Sequence, residues 1–261
     1  MAEVITCSPR SLPRERLVEA ADNATAINPL NRPAVERLAE AMPGFIPTPQ
    51  GIAILTTKFW GPAGVHLTVG FLDNPPAELR AKILLHMNAW SKTANVSFVE
   101  SNDRPVVRIA RLTGDRDGGF WSYLGTDVKL IPAADPTLNL EGFTLNTPDS
   151  EFNRVVRHET GHTMGFPHEH MRRQVVSKID REKAFAYFER TQGWSRADVR
   201  AQVLTPLEDA SIFGTPFANP RSIMCYQLPG DIMTDGQPVL GGLDIDESDF
   251  AFAGQIYPKP N

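Results

Sequence analysis

His158-Glu159-Thr160-Gly161-His162-Thr163-Met164-Gly165-Phe166-Pro167-His168-Glu169-His170 carries four of the six histidines in the chain. On a helix, positions four apart share one face and lie about 6 Å apart along the axis. His158 and His162 can therefore aim two imidazole nitrogens at one point, at a reach suited to Zn–N bonds of about 2.0–2.1 Å. Glu159 stands beside the first of them, where a carboxylate can hold a water rather than the ion. Gly165 tolerates the left-handed turn that ends a helix, and the chain can then double back to bring up His168 as a third nitrogen ligand. Three neutral ligands leave a position open for water, the mark of a catalytic rather than a closed structural zinc site. His170 is surplus to such a set and is expected behind the ligands or on the surface. His66 and His86 fall in strand and helix patterns and are expected in core or surface roles.

Working outward, residues 149–165 read as the helix that carries the pair, with Pro148 ahead, Asp149 or Ser150 as the cap and Glu151 in the first turn. Upstream, residues 66–73, 96–101, 106–112 and 137–143 read as strands, 120–132 as one more strand-like run, and 75–94 as an amphipathic helix showing Leu79, Ile83, Met87 and Trp90 on one face. Downstream the chain is mostly helix and loop, with helices expected over 178–191, over 195–204 behind Ser195, and within 246–257. The expected fold class is α+β: a twisted mixed sheet crossed by a helix, then a mostly helical half, with the site in a cleft between them. Residues 12–28 and 33–42 predict two leading helices, and 42–51, with three prolines and two glycines, a linker. Residues 1–50 are thus expected to be an extension of a catalytic domain spanning 51–258.

With 26 Lys and Arg against 31 Asp and Glu, the formal net charge is −5. That argues against nucleic acid or an anionic membrane as the main partner, since both reward clustered positive charge. No apolar run approaches the roughly 20 residues that cross a bilayer. A basic start followed by an apolar stretch is missing at the N-terminus, so the chain as it stands is expected in the cytoplasm. The alternative is a secreted protein whose export segment is absent from the sequence. Two cysteines, Cys7 and Cys225, are too few for a disulfide scaffold. Oligomeric state is not legible.

His158-Glu159-Thr160-Gly161-His162-Thr163-Met164-Gly165-Phe166-Pro167-His168 resembles the HExxHxxGxxH signature of the metzincin zinc endopeptidases. Phe166 and Glu169 look like the astacin family in particular, and Ser222-Ile223-Met224-Cys225-Tyr226 resembles its Met-turn. The resemblance, weaker elsewhere, extends over about residues 59–258. It implies one Zn²⁺ per chain on His158, His162 and His168, Glu159 as general base and acid, and Met224 as an apolar floor. Tyr226 would be a displaceable extra ligand that turns to stabilise the oxyanion. It also implies a peptide or protein substrate, laid antiparallel beside Trp121–Gly125. Departures are the small number of cysteines, Cys225 where the family commonly has histidine, and no evident aspartate switch. N-terminal cysteine switches occur in metzincins, but their Pro-Arg-Cys context is missing around Cys7, so a structural role is expected for Cys7, away from the metal. Two further readings are a zinc-stabilised peptide-binding module without turnover and a narrow processing protease.

Overall fold

The computed structural model describes residues 7, 10–33, 53, 56–114, 117–205 and 219–260. The expected helix at 33–42 and the linker at 42–51 lie almost wholly outside the described residues. The first expected helix is present as α1 (Leu17–Ile27), preceded by a 3₁₀ turn at Arg14–Arg16.

Strand β1 (Val65–Phe71) alternates as its sequence requires, with Val65, Leu67 and Val69 buried and His66 exposed. Helix α2 (Ala77–Met87), continued by a 3₁₀ turn over Asn88–Lys92, carries the chain across one face of the sheet to β2 (Val96–Glu100). Such a crossover is what parallel neighbours need. Leu79, Ile83, Met87 and Trp90 are the residues it buries, as their spacing predicts. Strands β3 (Val107–Ala110), β4 (Phe120–Ser122) and β5 (Leu138–Leu140) complete a sheet of order β2-β1-β3-β5-β4. All its pairs are parallel except β4 with β5, in the register Phe120↔Leu140 and Ser122↔Leu138. β4 is therefore the antiparallel edge, opposite the β2 edge.

The run 120–132 is not one long strand. β4 stops at Ser122, and a 3₁₀ turn occupies Gly125–Leu130. The cause is tertiary: Gly125 has φ +48°, the Thr126 amide donates to the Lys58 carbonyl at 3.1 Å, and a Cβ on Gly125 would lie 1.9 Å from that same oxygen. Only glycine fits there.

The motif helix, α3, starts at Asp149 behind Pro148 and runs as a first turn Asp149–Glu151, a π segment Phe152–Val156, and Arg157–Met164. No side chain caps it, against expectation. Beyond it, α4 (Arg181–Gln192) is capped by Asp180 and α5 (Glu247–Ile256) by Asp246, while Ser195 and Asp198 form a capping box on the short helix Arg196–Val199. Two apolar clusters result. One joins the sheet, α2, Phe152, Val156, Met164, Ile223 and Met224; the other joins Phe185, Phe188, Val199, Leu228, Ile232, Cys225 and Tyr226. The turn Ser222–Tyr226 thus crosses from one cluster to the other, and the motif histidines lie at that seam. The expected α+β architecture with a sheet half and a helical half is what the structure shows. Among the described residues no helix is long and apolar enough to cross a membrane.

The leading segment lies against this body. Asn23 donates to the Thr126 carbonyl at 3.2 Å, and Arg16 to that of Leu130 at 3.2 Å. Asn31, 1% exposed, both donates to the Phe59 carbonyl (2.8 Å) and accepts from the Phe59 amide (2.9 Å). Cys7 and Arg10 pair in parallel with Phe120 and Tyr123 on the outer side of β4, and the Arg10 amide donates to the Ser122 carbonyl at 3.1 Å.

A candidate zinc centre between the sheet and the helical half

Helix α3 is pinned by its own backbone. The indoles of Trp60 and Trp90 donate to the carbonyls of Thr163 (2.8 Å) and Arg157 (2.9 Å), and the Tyr257 hydroxyl donates to that of Met164. Thr163 also meets Ser122 of β4 through their hydroxyls, 3.1 Å apart. Gly165 ends the helix at φ +100°, with its amide on the His162 carbonyl and the Phe166 amide on that of Gly161. The turn thus satisfies the last carbonyls of the helix while reversing the chain toward His168.

That reversal brings three ring nitrogens together. Nε2 of His168 lies 3.2 Å from Nε2 of His158 and 3.0 Å from Nε2 of His162. Nδ1 of His158 points at the Ile223 carbonyl (2.5 Å) and Nδ1 of His162 at that of Phe166 (2.8 Å). A carbonyl only accepts, so each Nδ1 carries the proton and each Nε2 of this pair presents a bare lone pair. Burial pushes His158 down to about 4 and His162 and His168 well below their ordinary values, keeping all three rings neutral at physiological pH. Lone pairs converging at about 3 Å in a buried site repel one another unless a cation lies between them. Tetrahedral Zn–N bonds of about 2.05 Å would set the nitrogens about 3.3 Å apart, close to the spacing found. The residues fit a zinc ion.

Glu159 is fully buried, and neither of its carboxylate oxygens has a hydrogen-bond partner among the described residues. Burial pushes it up to about 8, against the opposing pull of the Cys7 thiol and then of the Arg154 charge. A divalent cation beside it would favour the ionised form instead. Tyr226 is buried too, its hydroxyl without a hydrogen-bond partner among the described residues. Its ring stacks on His170 at 4.1 Å and 15°, and lies 4.2 Å from the ring of His168. His170 is buried behind the ligands, not on the surface, and accepts from the Tyr226 amide at 3.4 Å. His66 lies exposed on β1, and His86 packs on Phe152 at 5.2 Å, both outside the cluster.

Met224 lies beneath α3, so close that a Cβ on Gly161 would fall 2.4 Å from its sulfur. Asp249 holds the turn from below, accepting from the Ser222 hydroxyl (2.6 Å) and the Ile223 amide (2.9 Å). Ser222–Cys225 runs as turn and bend, and Tyr226 follows in irregular chain.

One residue departs from expectation. Cys7 is buried, and its sulfur and one nitrogen of each of His158, His162 and His168 all lie within 4.8 Å of one another. Its thiol faces the Glu159 carboxyl; burial first, and that carboxyl second, hold its pKa well above the usual value in the absence of a cation. Cys225 is a free thiol in the wall of the same cavity, with Arg154, Phe120 and Tyr226. The sequence places Cys7 away from the metal because its true position depends on a long-range strand pairing that no local spacing encodes.

No protein-family model matches the chain. A curated zinc metalloproteinase of Caenorhabditis elegans, nas-27, is 31% identical over 102 residues, which are 39% of this chain and 21% of that protein, so the match spans about a fifth of the relative's length. The solved structure of myroilysin superposes with a TM-score of 0.72 at 29% identity, covering 78% of this chain and 97% of that one. The hatching enzyme zinc-protease of the medaka fish Oryzias latipes gives 0.51 at 16% identity over 78% and 96%, a likeness of fold. The motif resemblance, the shared sheet-and-helix frame and the histidine cluster agree: the chain is similar to the astacin-like zinc metallopeptidases of the metzincin clan.

Proposed function

We propose that this chain hydrolyses internal peptide bonds in polypeptides laid along the outer edge of β4, using the residues gathered around His158, His162 and His168. The observation that carries the reading is the convergence of three neutral imidazoles whose Nδ1 protons on His158 and His162 are committed to carbonyls. These three histidines would hold the zinc ion, which when bound polarises a carbonyl and makes water acidic near neutral pH. Glu159 takes the proton of the attacking water on a carboxylate oxygen and passes it to the departing amine, since one carboxylate in reach can serve as base and then acid. Tyr226 donates its free hydroxyl to the oxygen that gains charge, a contact worth about 2.7–4 kcal/mol where such donors have been removed. Pairing along a strand edge reads main chain rather than a free terminus, which favours cleavage inside a polypeptide. It also favours an unfolded or extended substrate. The division into a leading extension at 1–50 and a catalytic domain at 51–258 is part of this proposal. A peptide-binding module without turnover would have no use for a buried carboxylate in the wall of the cavity that His158 also lines.

Metal analysis should return one zinc per chain. Hydrolysis of unfolded casein, followed before and after limited proteolysis of the chain, should be stopped by a chelator and restored by zinc. Hydrolysis indifferent to chelator, or products released only from chain ends, would overturn the proposal.

A further inference from the structure

We propose that His170 is a positioning residue for Tyr226, holding the phenol ring in the plane from which its hydroxyl meets the charge that develops on the substrate. This rests on the zinc-peptidase reading above and goes beyond it. His170 is 0% exposed, yet it is surplus to the three ligands and lies outside the group of ligand atoms that converge among the described residues. Burying an imidazole is costly unless its polar atoms are used.

Two contacts tie it to Tyr226. The Glu169 amide donates to the Met224 carbonyl at 2.8 Å, so the chain after His168 and the turn after Met224 lie side by side. The Tyr226 amide then donates to Nδ1 of His170 at 3.4 Å, and this nitrogen takes the place of a main-chain carbonyl. A backbone amide only donates, so Nδ1 keeps its lone pair. The second contact is face to face, with the two rings 4.1 Å apart at 15°. His168 stands tilted against both, 5.0 Å and 38° from His170 and 4.2 Å and 51° from Tyr226. The phenol therefore touches two imidazoles, one assigned to the ion and one not.

The hydroxyl explains why such a platform matters. It has no hydrogen-bond partner among the described residues, so no polar contact there sets its direction. A donor to developing charge is effective when its direction is set before the reaction. Flat rings prefer an offset stack. The contact thus resists tilting, while the phenol can slide in its own plane with its amide pinned.

The test is a double-mutant cycle between His170→Leu and Tyr226→Phe on the zinc-loaded full chain after limited proteolysis, with fluorine NMR beside it. Labelling with 3-fluorotyrosine marks four tyrosines, and the resonance lost in Tyr226→Phe is that of Tyr226. In His170→Leu that resonance should move, because the ring current of the stacked imidazole is gone, while the other three stay. On a peptide derived from casein, His170→Leu should lower kcat roughly 10–100-fold with KM and zinc content kept. Once Tyr226→Phe has removed the hydroxyl, His170→Leu should cost nothing further. Should His170→Leu fail to fold, His170→Asn keeps an acceptor near Nδ1 and His170→Phe keeps a flat ring; each goes through the same cycle and should show part of the loss. An equal loss of kcat in both backgrounds, loss of zinc, or a Tyr226 resonance that no His170 variant moves overturns the positioning role alone. No zinc-dependent hydrolysis by the wild type, or an unchanged kcat in Tyr226→Phe, overturns the reading of the site as well.

Discussion

Replacing Gly165 by alanine tests whether the turn after α3 is what sets the geometry of the metal site. Among the described residues two helices end on a left-handed glycine: α3 at Gly165 (φ +100°) and α4 at Gly193 (φ +66°). A Cβ on Gly193 would meet nothing within 4 Å, whereas one on Gly165 would lie 2.8 Å from the Lys58 carbonyl oxygen and 3.2 Å from the ring of Phe59. Gly193→Ala should thus cost only the left-handed penalty, about 1–2 kcal/mol. Gly165→Ala carries a similar or larger penalty, since φ +100° lies beyond the left-handed well open to alanine. To this it adds a clash with backbone, which overpacking data place at about 1–3 kcal/mol. The difference should be about 2–3 kcal/mol, or roughly 2–4 °C of melting temperature for each of those kilocalories in a chain of this size. The same turn supplies the Phe166 carbonyl that orients His162, and loss of such a partner weakens metal binding by about 10–100-fold. The assay is thermal unfolding at saturating zinc for both variants, with zinc affinity measured by competition with a chromophoric chelator. Equal melting temperatures and equal zinc affinities in the two variants would refute the reasoning.

Glu159→Gln should keep zinc and lose about 10²–10⁴-fold in rate, because an amide cannot take a proton; loss of zinc by elemental analysis would make the carboxylate a ligand. Tyr226→Phe should keep zinc and fold and lower kcat by about 10²–10³ with little change in KM; an unchanged kcat would reduce Tyr226 to packing on His170. Asp249 is pushed up to about 6, burial outweighing its hydrogen bonds, so folding favours its protonated form and wild-type stability falls as pH rises from about 4 through 6. Asp249→Asn lacks that loss and should gain about 2–3 kcal/mol on wild type between pH 4 and pH 7, read from urea midpoints; a difference flat with pH would contradict it.

The centre was legible because α-helical geometry turns the four-residue spacing of His158 and His162 into proximity, and Gly165 announces the reversal that brings in His168. The strands with regular alternation were legible for the same reason. The run 120–132 was not, because Gly125 bends to meet the carbonyl of Lys58, a partner far away in sequence. Nor was Cys7: its neighbours Ser8, Pro9 and Arg10 form no periodic pattern, and its position follows from β4 offering an unpaired edge. The capless start of α3 behind Pro148 was missed because Asp149 and Ser150 have good capping chemistry but fall inside the first turn.

The Asn31 clasp has a consequence for how firmly the leading segment is held. It joins the leading segment to Phe59 through one side chain that imitates a strand neighbour, and the apolar contact nearby is small, a cluster of Leu12, Ala20 and Ile131. While the chain is continuous, that weak attachment is enough, because covalent linkage keeps the segment at an effective concentration of the order of millimolar. A single cut between residues 33 and 53 would turn the segment into a separate molecule bound by the same few contacts. Its hold would then depend on dilution, so the same nicked protein would keep the segment in a concentrated stock and shed it once diluted, with a threshold set by the dissociation constant of the fragment.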